Sequence, residues 1–169
     1  ELQRIQGKQQ MPVLEVKGEL KYYQGIEAVN SLVDETLEEG ESEQLCFGIN
    51  QYHIDHSETE WIHYTNRRVS KGMSVRSIQP DTKAAKSYKK RDTDELRETR
   101  LVSKQKFPDG GCELNIIGDT IALFVTHGDK PSGMKIHHKD MARVLRSLFE
   151  LAWVGARTFG SDDGGTELY

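Results

Sequence analysis

The chain has 169 residues, a formal net charge of −4, 30% charged residues and two cysteines. That length fits one core of ordinary size, and the negative balance gives the chain as a whole no electrostatic case for gripping a phosphate backbone. No apolar run approaches the roughly 18 residues that cross a bilayer and no charged-apolar-small leader is present, so a cytoplasmic protein is expected. Cys46 and Cys112 fall inside or beside predicted strands with no close partner in sequence, and both are expected as buried free thiols. The first residue is Glu1 rather than Met, which points to a fragment of a longer chain.

Taken in order, residues 1–10 are polar and Gln-rich, either a tail or the end of a helix. From Pro12 the pattern alternates through Val13, Leu20, Tyr22 and Tyr23, with a break expected at Gly18. Ile26, Val29, Val33 and Leu37 fall at helical spacing and Gly40 suits the C-terminal cap. Gln44 to Ile49 reads as a short buried strand. A polar loop, residues 50–56, leads to Ser57 and Glu60, which have the spacing of a capping box. The helix it starts has Trp61, Ile62, Thr65 and Val69 as its inner stripe, with Arg67, Arg68 and Lys71 turned to solvent or partners. Met73 to Ile78 alternates as a strand. Beyond Gln79-Pro80-Asp81 comes a basic helical stretch, then a second short helix over Asp92 to Thr99 and a brief strand at Arg100 to Val102.

The most continuously apolar stretch runs from Leu114 to Thr126. Gly118-Asp119 divides it as a two-residue hairpin loop would. Its second arm, Ile121 to Val125, is apolar without alternation, which predicts a strand covered on both faces. One more strand is expected over Gly133 to His137. A long helix follows, with Met141, Val144, Leu145, Leu148, Phe149, Ala152 and Trp153 along its apolar face, and residues 156–169 read as a flexible tail. Strands alternating with helices predict an α/β fold: a mixed β-sheet with helices on both faces. Ligands in such sheets bind beyond the carboxyl ends of parallel strands, here the loops after Ile49, Ile78 and Val102.

The strings Lys21-Tyr22-Tyr23-x-Gly25-Ile26-Glu27-Ala28-Val29, Arg97-x-x-Arg100-Leu101 with Phe107-Pro108, Ile117-Gly118-Asp119-x-Ile121-Ala122 and Arg146 to Trp153, in that order and spacing, resemble the C-terminal domain of TrmB-like transcriptional regulators. The resemblance runs from Pro12 to Trp153. It implies a fold similar to one phospholipase D repeat, used as a non-enzymatic effector sensor and dimerisation domain behind an N-terminal winged helix that is not in this chain. Residues 1–11 would then end a linker helix or tail, and residues 12–155 would form the sensor domain.

The resemblance also raises an alternative, a phospholipase D-type phosphodiesterase or nuclease with a divergent active site, whose chemistry needs a nucleophilic His in the pattern His-x-Lys-x-x-x-x-Asp. Of the six histidines, only His137-His138-Lys139 offers His-x-Lys, and Val144 stands where Asp should fall. The broken motif argues against an enzyme. His53, His56 and His63, interleaved with Asp55, Glu58 and Glu60, concentrate groups that zinc accepts. The surface of a polar loop and helix is the simpler account, and His53 and His56 stand as a weak metal alternative. No cofactor is expected. Lys83 to Lys106 is basic but offset by Asp92, Asp94, Glu95 and Glu98, as a solvated face would be. For an unknown small-molecule effector, strand-end geometry selects Asn50, Tyr52 and His53, with Arg76 and Arg100 as anion anchors. The expected partners are that effector and a second copy of the chain, with DNA reached only through the winged helix.

Overall fold

A computed structural model describes residues 19–48, 58–107, 111–125 and 130–158. The elements are β1 (Glu19–Gln24), α1 (Ile26–Leu37), β2 (Glu43–Phe47), α2 (Glu58–Ser70), β3 (Ser74–Pro80), α3 (Lys83–Lys89), β4 (Arg97–Val102), β5 (Cys112–Ile117), β6 (Thr120–Val125), β7 (Ser132–His137) and α4 (Lys139–Gly155). Seven strands form one sheet in the order β1-β7-β6-β5-β2-β3-β4. From β1 to β2 each neighbouring pair is antiparallel; β2, β3 and β4 run parallel. β2 is therefore the strand at which direction changes. The sheet is mixed and helices cover both faces, as the element order predicts.

Alternation along the strands divides the apolar residues between two faces. On one, Leu45, Ile78, Ile116 and Ile121 pack with Ala142, Phe149 and Trp153 of α4. On the other, Ala122 and Phe124 meet Val29 and Leu32 of α1, and Ile117 meets Leu37 and Met73. The Gly118-Asp119 hairpin forms as expected, with Ile117 paired to Thr120 and Gly118 at φ +54°. At Gly133, an added Cβ would lie 2.6 Å from Leu32 Cδ2 and 3.2 Å from Leu123 O, so the missing side chain lets α1 sit directly on β7.

Four sequence expectations change. Asp92 to Thr99 is a turn entering β4, not a helix: Leu96 adopts φ +48°, and the Asp92 carboxylate accepts from Thr99 N, Thr99 Oγ1 and Arg97 Nε, each at 2.8 Å. Those side-chain bonds offer the backbone an alternative to the helix. Arg68 is buried, only 2% exposed, rather than solvent-facing, whereas Ile62 is exposed. Cys112 is exposed at the start of β5, while Cys46 is buried as expected. On α4, Met141, Val144 and Leu148 face outward, together with Leu151 and Val154. Ala156, just beyond that helix, is buried in the core. Among the described residues, no helix is long and apolar enough to cross a membrane.

Candidate functional site

A cavity of about 310 Å³ lies between the sheet and helices α1 and α2. It spans the change of strand direction, with Gln44 and Cys46 from β2, Ser77 and Gln79 from β3, and Glu113 and Asn115 from β5 in its floor. Register sets these residues side by side: Cys46 is opposite Ser77 on one side and Asn115 on the other. Val33 and Asp34 of α1 and Trp61, Tyr64 and Arg68 of α2 form its walls, with Tyr88 of α3 completing one side. The phenol of Tyr88 is tilted against Trp61, which also meets Tyr64, at centroid distances of 5.4 and 5.6 Å.

The floor is polar and buried. Gln44, Ser77, Gln79, Glu113 and Asn115 are all under one-tenth exposed. Tyr64 OH donates to Gln44 Oε1 at 2.9 Å, Gln79 Nε2 to Ser77 Oγ at 2.9 Å and Asn115 Nδ2 to Glu113 Oε1 at 2.6 Å. Behind α2, Arg68 donates to the backbone carbonyls of Met73 and Glu95, and burial pulls its pKa below the usual arginine value. Burial holds the Tyr64 and Tyr88 phenols far above their ordinary range. Burial, reinforced by the Glu113 charge, pushes the Cys46 thiol well up, so it stays protonated and is a poor nucleophile. Gly48, at φ +84°, ends β2 against the floor: an added Cβ would lie 2.5 Å from Cys112 O.

The residues expected to bind an effector are divided. Asn50, Tyr52 and His53 lie outside the described residues, in the segment joining β2 to α2. Arg76 and Arg100 do not line the cavity; they are on the opposite face, under α4. Arg76 is chelated by Glu43 (2.9 and 3.0 Å) and Glu150 (2.7 and 2.9 Å). Hydrogen bonds donated to Glu150 and Glu43 raise its pKa. Arg100 lies 3.8 Å from the centroid of the Trp153 ring, donates to the Trp153 carbonyl and pairs with Glu98 at 3.2 Å. Both guanidinium groups hold α4 to the sheet. His56 is outside the described residues. His63 is exposed and lines the cavity, and among the described residues no group of three or more His, Cys, Asp or Glu could hold a metal ion.

The broken His-x-Lys sequence is also placed. His137 ends β7 with Nδ1 3.0 Å from Thr120 Oγ1, and His138 caps α4 by accepting from Met141 N at 3.3 Å. Val144, where the motif needs Asp, is 57% exposed on the outer side of α4. None of these three lines the cavity. The polar floor was missed from sequence, although it left a signal: Gln44, Gln79 and Asn115 interrupt strands that lie at the centre of the sheet, where a both-faces-covered strand is expected to be apolar.

No family model matches the sequence, and no curated protein matches it. Solved structures do match. TrmBL2, described as an archaeal chromatin protein with a novel mode of DNA binding, superposes with a TM-score of 0.53 at 16% identity, over 85% of this chain and 55% of that one. The chain thus spans little more than half the length of TrmBL2. Nuc from Salmonella typhimurium, described as a phospholipase D family member, gives 0.61 at 10% identity, over 88% of this chain and 100% of that one. NucT from Helicobacter pylori gives 0.56 at 12% identity, over 79% and 94%. The chain therefore has the α/β fold of the phospholipase D-like proteins, in a mixed sheet covered on both faces.

Proposed function

We propose that this chain is the effector-sensing and dimerisation domain of a TrmB-like transcriptional regulator, that it works in the cytoplasm without catalysis, and that a winged helix outside this chain engages DNA. The observation that carries this reading is the cavity. It has the buried volume and convergent polar groups of a ligand site, yet the described residues bring no His-x-Lys pair into it. The likeness to TrmBL2, itself described as binding DNA, supports the regulator side of the reading. Asn50, Tyr52 and His53, outside the described residues, are carried into this proposal from the sequence alone. An effector held between α1 and α2 would bias whichever arrangement of these helices it binds better, and only by that difference. A thermal-shift screen tests this: a bound effector raises the melting temperature with concentration and is recovered unchanged. The likeness to Nuc favours the enzymatic alternative. Hydrolysis of a generic phosphodiester, abolished by His137→Ala, would establish that alternative and refute the sensor.

The dimer partner we assign is a second copy, docked on α4. Met141, Val144, Leu148, Leu151 and Val154 are 43–73% exposed; the first four recur at the spacing of an a/d seam, and Val154 flanks it. Four of the five are symmetric about the point between Ser147 and Leu148. Antiparallel pairing sets Met141 against Val154 and Val144 against Leu151 of the second copy, the self-complementarity an isologous interface requires. The five side chains make one exposed apolar stripe on the side of α4 turned away from the sheet, the kind of surface that a partner covers.

A further inference from the structure

We infer that α3 and the turn after β4 form a docking surface for the phosphate backbone of duplex DNA, engaged without regard to base sequence. This goes beyond the sensing role and does not depend on it. The net charge of −4 conceals a segregation along the chain. Residues 26–43 hold acids from Glu27 to Glu43 and no Lys or Arg, whereas residues 83–91 hold Lys83, Lys86, Lys89, Lys90 and Arg91 and no acid. The fold carries the two blocks to opposite ends of the sheet: α1 packs on β1, β6 and β7, and α3 packs on β4, the strand at the other edge. In sequence, Asp92, Asp94, Glu95 and Glu98 offset the basic block; in space, three of them serve arginines. Asp92 and Glu95 neutralise the buried Arg97 at 2.8 and 2.7 Å, Glu95 also meets Arg91 at 3.1 Å, and Glu98 pairs with Arg100. Asp94 alone of the four is exposed without such a partner among the described residues.

Ala85 and Tyr88 are the buried side of α3. Lys83, Lys86 and Lys90, at i, i+3 and i+7, run along its outer side, and all three are exposed. Lys89 reaches sideways to the Thr99 carbonyl and ties the helix to β4. Lys86 meets Asp81 at 3.0 Å but is 59% exposed, and Lys83 and Lys90 have no carboxylate partner among the described residues. Asp81 N donates to Val102 O at 2.8 Å, which sets the turn after β4 beside the start of α3 and adds the exposed Lys104 to the row. From Lys83 to Lys90 the row covers about 10 Å of helix, a length over which duplex DNA carries about six phosphate charges. These cations lie on an open edge, are lysines, and lack the planar fork that reads guanine, so they suit a continuous rail of phosphates. The acidic block at the far end of the sheet turns the same edge toward a polyanion. DNA is thus met by this chain itself as well as by the winged helix of the proposed regulator.

The test is fluorescence anisotropy of a labelled duplex titrated with the whole chain, at salt concentrations from about 20 to 200 mM. Four phosphates neutralised by Lys83, Lys86, Lys90 and Lys104 give a slope of log K against log salt of about −3.6, and a second duplex of unrelated sequence should bind within about threefold. Combining Lys83→Gln, Lys86→Gln and Lys90→Gln should weaken binding at least tenfold at the lowest salt and flatten the slope by about 2.7, with the melting temperature unchanged. Lys130→Gln, Lys139→Gln and Arg143→Gln together, at exposed sites beside β7 and at the start of α4, remove equal charge and should leave affinity within about twofold. If the first triple variant does not fold, Lys83→Gln with Lys104→Gln carries the comparison. No binding at the lowest salt, or an equal loss in the second triple variant, overturns the assignment. A polyglutamate peptide that binds as tightly as the duplex overturns it too and points to an acidic protein partner. Each of these failures leaves the sensing role to the thermal-shift screen, which the lysine variants should answer as the wild type does.

Discussion

Replacing Arg68 with Met tests whether a buried cation, rather than apolar packing alone, holds the α2 wall of the cavity in place. The guanidinium is 2% exposed. It closes the C-terminal turn of α2 by donating to Met73 O and reaches across to Glu95 O in the turn before β4, so one side chain joins three segments. Each hydrogen bond from a charged donor contributes roughly 1.5–3 kcal/mol net. Methionine keeps the volume but leaves both carbonyls without this donor. Relief of the charge-burial penalty, visible in the lowered pKa of Arg68, returns part of the loss, and a net destabilisation of about 2–4 kcal/mol is expected. With a urea slope of about 1–3 kcal/mol/M for a domain of this size, the unfolding midpoint should fall by about 1–2 M. Arg68→Lys, whose single ammonium cannot span both carbonyls, should fall between the two. Trp61 and Trp153 lie in α2 and α4, packed on opposite faces of the sheet, so fluorescence follows both layers. A midpoint for Arg68→Met within about 0.5 kcal/mol of the wild type would show that the two carbonyls do not depend on this side chain.

Leu151→Lys should dissociate the proposed dimer, read as halved mass in sedimentation with circular dichroism unchanged; a wild type that sediments as a monomer at 100-fold varied concentration refutes the α4 interface. Arg100→Ala should cost about 1–2 kcal/mol through its lost contacts with Trp153 and leave effector affinity within twofold; a larger loss of binding would restore Arg100 to the site. Gly48→Ala forces a methyl toward Cys112 O at positive φ and should destabilise by at least about 2 kcal/mol, measured by the same urea titration. Lys135 is paired with Glu35 at 3.2 Å and Glu39 at 2.6 Å, and Lys135→Met should cost about 2 kcal/mol at neutral pH. Burial alone would raise the pKa of Glu35, but hydrogen bonds from Tyr23 and Lys135 bring it below its ordinary 4.5. Its stabilisation is therefore full above that value and fades as pH falls through the lowered one, so the gap between wild type and variant should close in acid. Burial, with Glu35, raises Tyr23 from 10.0 to about 12, so stability should also decline between those values as the unfolded chain ionises first.

The fold was largely legible because its signals are local and periodic: the Gly118-Asp119 turn, the 3.6-residue spacing of α1 and α4, and the alternation in β3. The entry to β4 was not. Asp92, Asp94 and Glu95 suggest the first turn of a helix, and only the clamp of Asp92 on Arg97 and Thr99, five and seven residues on, with β4 paired to β3, makes the segment a turn that leads into a strand. The apolar face of α4 was visible, but periodicity gives a face more width than the sheet can cover, and cannot say that Phe149 is interior while Leu148 is outside. The candidate site was least legible. Arg76 and Arg100 looked available for an anion because their carboxylate and indole partners are distant in sequence, whereas the amides, Cys46, Ser77 and Glu113 of the cavity floor carry no motif.

Leu32 fitted into the notch left by Gly133 has a consequence for how the site could work. Sliding α1 along β7 would drive a leucine methyl into backbone, so that helix is a fixed jaw. α2 is anchored instead through Tyr64 and Arg68, by bonds that another donor or acceptor can replace. Arg68 also ties α2 to the turn before β4, at the parallel edge of the sheet, while Arg67 and Lys71 tie it to α1 through Asp34 and Glu38.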